Sequence, residues 1–288
     1  MKRQKIWQSV VCGVAAIGLA AATSACGGEK NIMVISRDAE SGTRAAFEEI
    51  VKKDGVKLQD AVLTEDMEMA DKTGVVKSKV QTIATAIGYI SLSSLDDTVK
   101  ALSVDGVYPS VENVQNGSYQ ITRPFILMTP TKRSLSPLAQ DFYNYCMSAN
   151  AQDEIVAEGC VEADRDYVAY TTESNSLSGE IKVEGSTSMK DLMIAIIGEY
   201  KTVQPNVTVT ATYNGSSNGR SAVQEDTTGN TVGLASSAKA SEEYEEHVLC
   251  IDAIAVIVNN KNTLESLSVE QLFDIYTGAI TKFSQVTE

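Results

Sequence analysis

Three segments of this 288-residue chain share one local design: a strand, a short Gly/Ser/Thr turn, then the start of a helix. They are Ser41-Gly42-Thr43, Gly185-Ser186-Thr187-Ser188 and Gly215-Ser216-Ser217-Asn218-Gly219. A helix N-terminus presents unpaired backbone N–H groups and the positive end of the helix dipole. Ser and Thr hydroxyls add donors, and Gly lets a ligand approach the backbone. That combination is the chemistry of oxyanion binding. One such segment alone says little, because Ser and Thr are the ordinary N-caps of helices. Three of them, with Arg37 shortly before the first, point further. A guanidinium can fork onto two oxygens of a tetrahedral anion.

Strands and helices alternate around these turns. Ile32–Ile35 reads as a strand before Ser41, and Phe47, Ile50 and Val51 share one face of the helix after it. Ala86–Leu92 and Val99–Val104 are strand-like, and Tyr119, Ile121, Arg123, Phe125 and Leu127 alternate as a strand. Ser136 and Pro137 open a helix with Leu138, Phe142, Tyr145 and Cys146 on its apolar stripe. A second helix near Ala151–Glu158 stops at Gly159, and residues 162–178 read as a polar connector. Ile181–Val183 and Val207–Tyr213 are strands, and Leu192, Ile196, Ile197 and Tyr200 line a helix between them. Val248–Val258 is an apolar strand. Ser268 and Gln271 form a capping box, stapled by Leu267 and Leu272, on a helix that ends at Gly278. This order predicts an α/β architecture.

The N-terminal residues stand apart from that globule. Lys2, Arg3 and Lys5 precede the apolar run Val10–Ala22 and a small-residue site before Cys26, which predicts a signal peptide over 1–25. Ser24-Ala25-Cys26-Gly27 resembles the lipobox of bacterial lipoproteins, with Thr23 where that motif has Leu. Lipidation of Cys26 and simple secretion are the two readings. A diacylated cysteine tethers a protein to the membrane surface rather than spanning it. The formal charge is −14, and losing the three basic residues of 1–25 makes it three units more negative. Such a surface excludes a nucleic-acid partner and gives an anion no long-range steering. Any anion site must work through local dipoles and hydrogen bonds.

Other candidates carry less. The single histidine, His247, ends the acidic run Glu242–Glu246, which reads as an exposed helix. Cys146, Cys160 and Cys250 remain beyond the signal region. A Cys146–Cys160 bridge is possible in an oxidising compartment, but Cys146 in an apolar stripe reads better as a small buried hydrophobe. Neither a metal site nor a catalytic triad, Walker loop or carboxylate pair stands out, so no cofactor and no chemical step are expected.

The segments at Gly185–Ser188, Gly215–Ser217, Gly233–Ser237, Ile251–Asn259 and Tyr276–Thr281 resemble the first half of the phosphate-binding proteins of bacterial ABC importers. Ser36-Arg37 through Ser41-Gly42-Thr43-Arg44, Ile87-Gly88-Tyr89 and Arg123-Pro124-Phe125 resemble the second half. The halves stand in swapped order, which reads as a circular permutation; a truncated tandem of two copies is the rival.

The resemblance implies a type II-like periplasmic-binding-protein fold with a hinge and a central anion cleft. One lobe would comprise 27–130 and 251–288, the other 131–250, crossing near 128–133 and 248–252. It also implies a phosphate site: Thr187, Ser188 and Ser216 from one lobe, Arg37, Ser41, Gly42 and Thr43 from the other. Ser236 stands where many members have an Asp that accepts a proton from phosphate and repels sulfate. Permease and ATPase subunits would be the partners, and the protein a monomer. A receptor for sulfate or molybdate, a secreted phosphatase or serine hydrolase, and a non-transport protein that kept the fold are the other readings.

Overall fold

The computed structural model describes residues 29–172 and 177–287. Its main strands are β1 (Met33–Arg37), β2 (Glu68–Ala70), β3 (Ala86–Ser91), β4 (Thr122–Pro130), β5 (Gly179–Gly185), β6 (Val207–Tyr213), β7 (Thr231–Ala235) and β8 (Tyr244–Val258). Its main helices are α1 (Gly42–Ile50), α2 (Thr73–Thr82), α3 (Pro137–Cys146), α4 (Lys190–Val203), α5 (Ser216–Glu225) and α6 (Val269–Thr277). Their ends follow from sequence chemistry. Ser41 and Ser136 accept from the N–H groups of Arg44 and Ala139 as N-caps. Ser268 and Gln271 close the capping box on α6, and Gly278 ends that helix at φ 83°.

The eight main strands run in the order β6-β5-β7-β4-β8-β3-β1-β2. Parallel strands occupy both ends: β5 pairs parallel with β6 and β7, and β1 with β2 and β3. The middle is antiparallel, where β4 pairs with β7 and β8, and β8 with β3. Two cores lie on either side of this middle. Ile32, Val34, Phe47, Tyr89, Ile121, Ile254, Leu272 and Tyr276 belong to the first. Phe125, Leu127, Phe142, Ile181, Leu192, Tyr200, Leu234 and Leu249 belong to the second. Each lobe buries the other face of its sheet too, around Ile35, Val76 and Ile257 in one and Ile126, Met128 and Val223 in the other.

Strands β4 and β8 therefore carry the chain between lobes. Phe125 and Leu127 already pack in the second core, so the first crossing lies near 122–124, upstream of the expected 128–133. The unbroken alternation from Tyr119 to Leu127 hides that point. The second crossing falls between Cys250 and Ala253. Arg123 and Asp252 are cross-strand partners there. Arg123 Nε and Nη2 donate to Asp252 Oδ2 at 3.0 and 2.9 Å, with side chains 1% and 0% exposed. Ser91 of β3 donates to the other carboxylate oxygen at 2.8 Å.

Two further expectations change. His247 lies on β8, not on a helix, because pairing with β4 overrides the helical propensity of its acidic run. The three cysteines are free and buried. Burial pushes the Cys146 thiol well up, and Cys250 is the thiol that acts on Cys160. Cys26 lies outside the described residues.

Candidate functional site

The three Gly/Ser/Thr turns all sit at the carboxyl ends of parallel strands, where open α/β sheets bind ligands. Arg37 ends β1 and is 1% exposed. Its Nε donates to Ala70 O at 3.1 Å and its Nη2 to Asp71 O at 3.0 Å. Across the cleft, Nη2 also donates to Thr187 Oγ1 at 3.1 Å. Among the described residues no carboxylate lies within ion-pair distance of it, whereas the buried Arg123 has Asp252. Burial pulls the Arg37 pKa down, but a guanidinium stays protonated. Tyr89 supports it from below: Arg37 N donates to Tyr89 Oη at 3.3 Å, and Ser36 Oγ lies 2.8 Å from the same oxygen. Phe47 stacks on the Tyr89 ring at 4.1 Å. Burial pushes that phenol up to about 12.

One hydroxyl network bridges the lobes, and a second lies within the second lobe, facing Gly42 of the first lobe. In the first network, Thr43 Oγ1 and Ser188 Oγ are 2.8 Å apart. Thr73 joins it as a residue the sequence reading missed. Its hydroxyl accepts from Arg37 Nη1 at 3.2 Å and lies 3.1 Å from both Thr187 Oγ1 and Ser188 Oγ. The signal was present: Thr73-Gly74 opens α2 directly after β2, a fourth turn of the same design. In the second network, Ser186 Oγ donates to Ser236 Oγ at 2.9 Å, and Ser236 N donates to Ser216 Oγ at 3.1 Å.

Gly42 meets this second network so closely that a Cβ there would stand 2.4 Å from Ser216 Oγ and 2.7 Å from Ser236 Oγ. The neighbouring backbone is equally tight. Ser217 N donates to Glu40 O at 3.3 Å across the cleft, and a Cβ on Gly215, at φ 119°, would stand 2.8 Å from that carbonyl. Ser41 is buried beside them, its hydroxyl spent on capping α1. So Arg37, Gly42, Thr43, Thr187, Ser188, Ser216 and Ser236 come together from both lobes, Ser41 adjoins them, and Ser36, Thr73, Tyr89 and Ser186 complete the set. His247 is elsewhere, its Nε2 3.0 Å from Thr129 Oγ1 on the outer part of the second lobe. Among the described residues no His/Cys/Asp/Glu group could hold a metal ion, and no helix is long and apolar enough to cross a membrane.

A sequence model described as a PBP superfamily domain matches residues 4–150 and 170–288. The phosphate-binding protein PstS 2 of Streptococcus pneumoniae is 37% identical over 297 residues, covering 99% of this chain and 100% of its own length. The chain belongs to the PstS family of phosphate-binding proteins. A second PstS 2, from Streptococcus agalactiae, is 30% identical over 100% of both chains. PstS of Bacillus subtilis is 35% identical over 133 residues only, 46% of this chain and 41% of that one. The crystal structure of a phosphate-binding protein of a phosphate ABC transporter from Streptococcus pneumoniae superposes with a TM-score of 0.66. It is 38% identical and covers 89% of this PstS-family chain and 100% of its own.

Proposed function

We propose that this protein captures inorganic phosphate outside the cytoplasm and delivers it to the permease and ATPase subunits of an ABC importer, with no chemical step. Arg37 carries the reading. A buried guanidinium that, among the described residues, has no carboxylate within ion-pair distance carries an incompletely compensated positive charge in a dry site, and such a charge calls for an anion. Four helix starts bring hydroxyl groups together around it. Arg37 pairs with the anion, and Thr43, Thr187, Ser188 and Ser216 donate to it. Ser41 holds the α1 turn in shape, and Gly42 lets the lobes meet. Ser236 accepts or donates without the charge of an Asp, so it discriminates weakly against sulfate. The crossings at 122–124 and 251–252 serve as the hinge.

The protein works as a monomer, tethered by a lipid on Cys26 after loss of residues 1–25. The half order is a circular permutation within one folded chain. Ile32 N donates to Thr281 O at 2.8 Å, and Ser284 N to the Glu29 carboxylate at 3.0 Å, which supports that reading. So does the contrast between end-to-end streptococcal relatives and a Bacillus relative aligned over less than half of each chain. Isothermal titration of residues 26–288 with phosphate, sulfate and molybdate tests the function. Phosphate is expected to bind tightest. Tighter sulfate or molybdate would make it another oxyanion's receptor, and no heat from any of them would overturn the proposal.

A further inference from the structure

We infer that the protein is held with one end of its first lobe against the membrane and its anion site at the opposite end of that lobe. The inference rests on the reading of Cys26 as a lipidated anchor. The folded body begins almost at once after that residue. The Glu29 carboxylate accepts hydrogen bonds from both Ser284 N and Ser284 Oγ. Ile32 N is bonded to Thr281 O, and Met33 starts β1. Gln271 Nε2 donates to Thr287 O at 2.7 Å, tying the other chain end to α6. Three residue steps separate Cys26 from Glu29, and a fully extended step spans at most about 3.6 Å. The leash is therefore about 11 Å at most. That is shorter than β1 itself, whose five residues rise about 16 Å.

A leash that short fixes orientation. The seam where residues 29–32 meet 281–287 must lie beside the headgroups. β1 leads from that seam to Arg37, so the anion cluster stands a strand's length farther from the lipid. The chemistry of the seam suits a surface that abuts headgroups without entering them. Glu29, Lys30, Asn31, Ser284, Gln285 and Thr287 are exposed and polar, and none of the large exposed hydrophobic side chains falls within 29–32 or 281–287. The acyl chains supply the affinity, and the seam supplies the direction.

Full-length protein, lipidated in cells and reconstituted in vesicles, tests this by energy transfer to a headgroup-labelled lipid. Thr263 lines one cavity with Glu29, Ser284 and Thr287, so Thr263→Cys places a dye at the seam, and Lys72→Cys places one at the Arg37 end; Cys146, Cys160 and Cys250 are buried. Transfer from position 263 is expected to exceed that from position 72 several-fold. A flexible Gly/Ser insert of about 20 residues between Gly28 and Glu29 is expected to abolish the difference. Equal transfer from both positions on vesicle-bound protein with the native leash would overturn the orientation alone. Protein that stays out of the vesicle fraction would overturn the anchor reading, and the orientation with it.

Discussion

Thr43 and Ser188 are 145 positions apart and share a hydrogen bond of 2.8 Å across the cleft. Each opens a helix at the end of a parallel strand, one in each lobe. Their meeting shows how the site is made: neither lobe holds it, and closing the two together assembles it. Ligand affinity therefore reports lobe closure as well as local contacts.

Arg37→Ala should weaken phosphate binding by about 2–5 kcal/mol, the range for removing one charged partner from a desolvated contact. That is a loss of roughly thirty- to several-thousand-fold. Most of it should come from faster release, measured by stopped-flow dissociation beside calorimetry. An unchanged dissociation constant would take Arg37 out of the site.

Thr73→Val keeps the shape and removes a hydroxyl that touches Arg37, Thr187 and Ser188. Affinity for phosphate should fall by about 1–2 kcal/mol, while the thermal midpoint of the ligand-free protein moves little. If affinity holds and stability alone drops, Thr73 only braces Arg37.

Gly42→Ala puts a methyl group 2.4 Å from Ser216 Oγ, on the other lobe. The cost, about 1–3 kcal/mol for overpacking, should fall on the closed form. Phosphate affinity should drop about tenfold or more with the circular dichroism spectrum unchanged. Adding Ser216→Ala should return part of the loss. Wild-type affinity in the single variant would mean that the lobes need not approach this closely.

Ser236→Asp should raise the ratio of phosphate to sulfate affinity, because a fixed carboxylate repels an anion with no proton to share. Competition calorimetry reads the ratio. Equal rejection of sulfate by wild type and variant would place selectivity elsewhere.

Much of this site could be read from sequence because each helix start carries its own signature. Gly185-Ser186-Thr187-Ser188 and Ser41-Gly42-Thr43 announce a turn, a cap and a donor together. Thr73 lacked the Ser and the preceding Gly, followed a strand of only three residues, and starts α2 without a side-chain cap. His247 misled because an acidic run favours an exposed helix locally, and only its partner strand makes it extended. The crossing at Arg123 left no trace either, since β4 keeps one alternation while its residues pass from one core to the next. The ion pair with Asp252 spans 129 positions, a pairing no local pattern specifies.

Fusing Thr287 to Glu29 through a short linker and opening the chain between Thr172 and Leu177 should give a folded monomer that binds phosphate. The ends to be joined already meet at Ser284 and Glu29. Light scattering with calorimetry checks this. A parent protein that is a dimer, losing its binding on dilution, would favour complementation between copies and sink the single-chain permutation.

The order of segments along the chain also decides which lobe can form first as the chain emerges from its N-terminus. The second core draws its buried residues from Phe125 to Cys250, one continuous stretch. The first core needs Ile32 and Val34 beside Leu272, Ile275 and Tyr276. Its leading third can pair β1 with β2 and β3, but the β3 edge and the apolar face must wait until β8 and the last helix arrive. Chains usually fold from the leading end; here the middle of the chain is complete before the beginning can be.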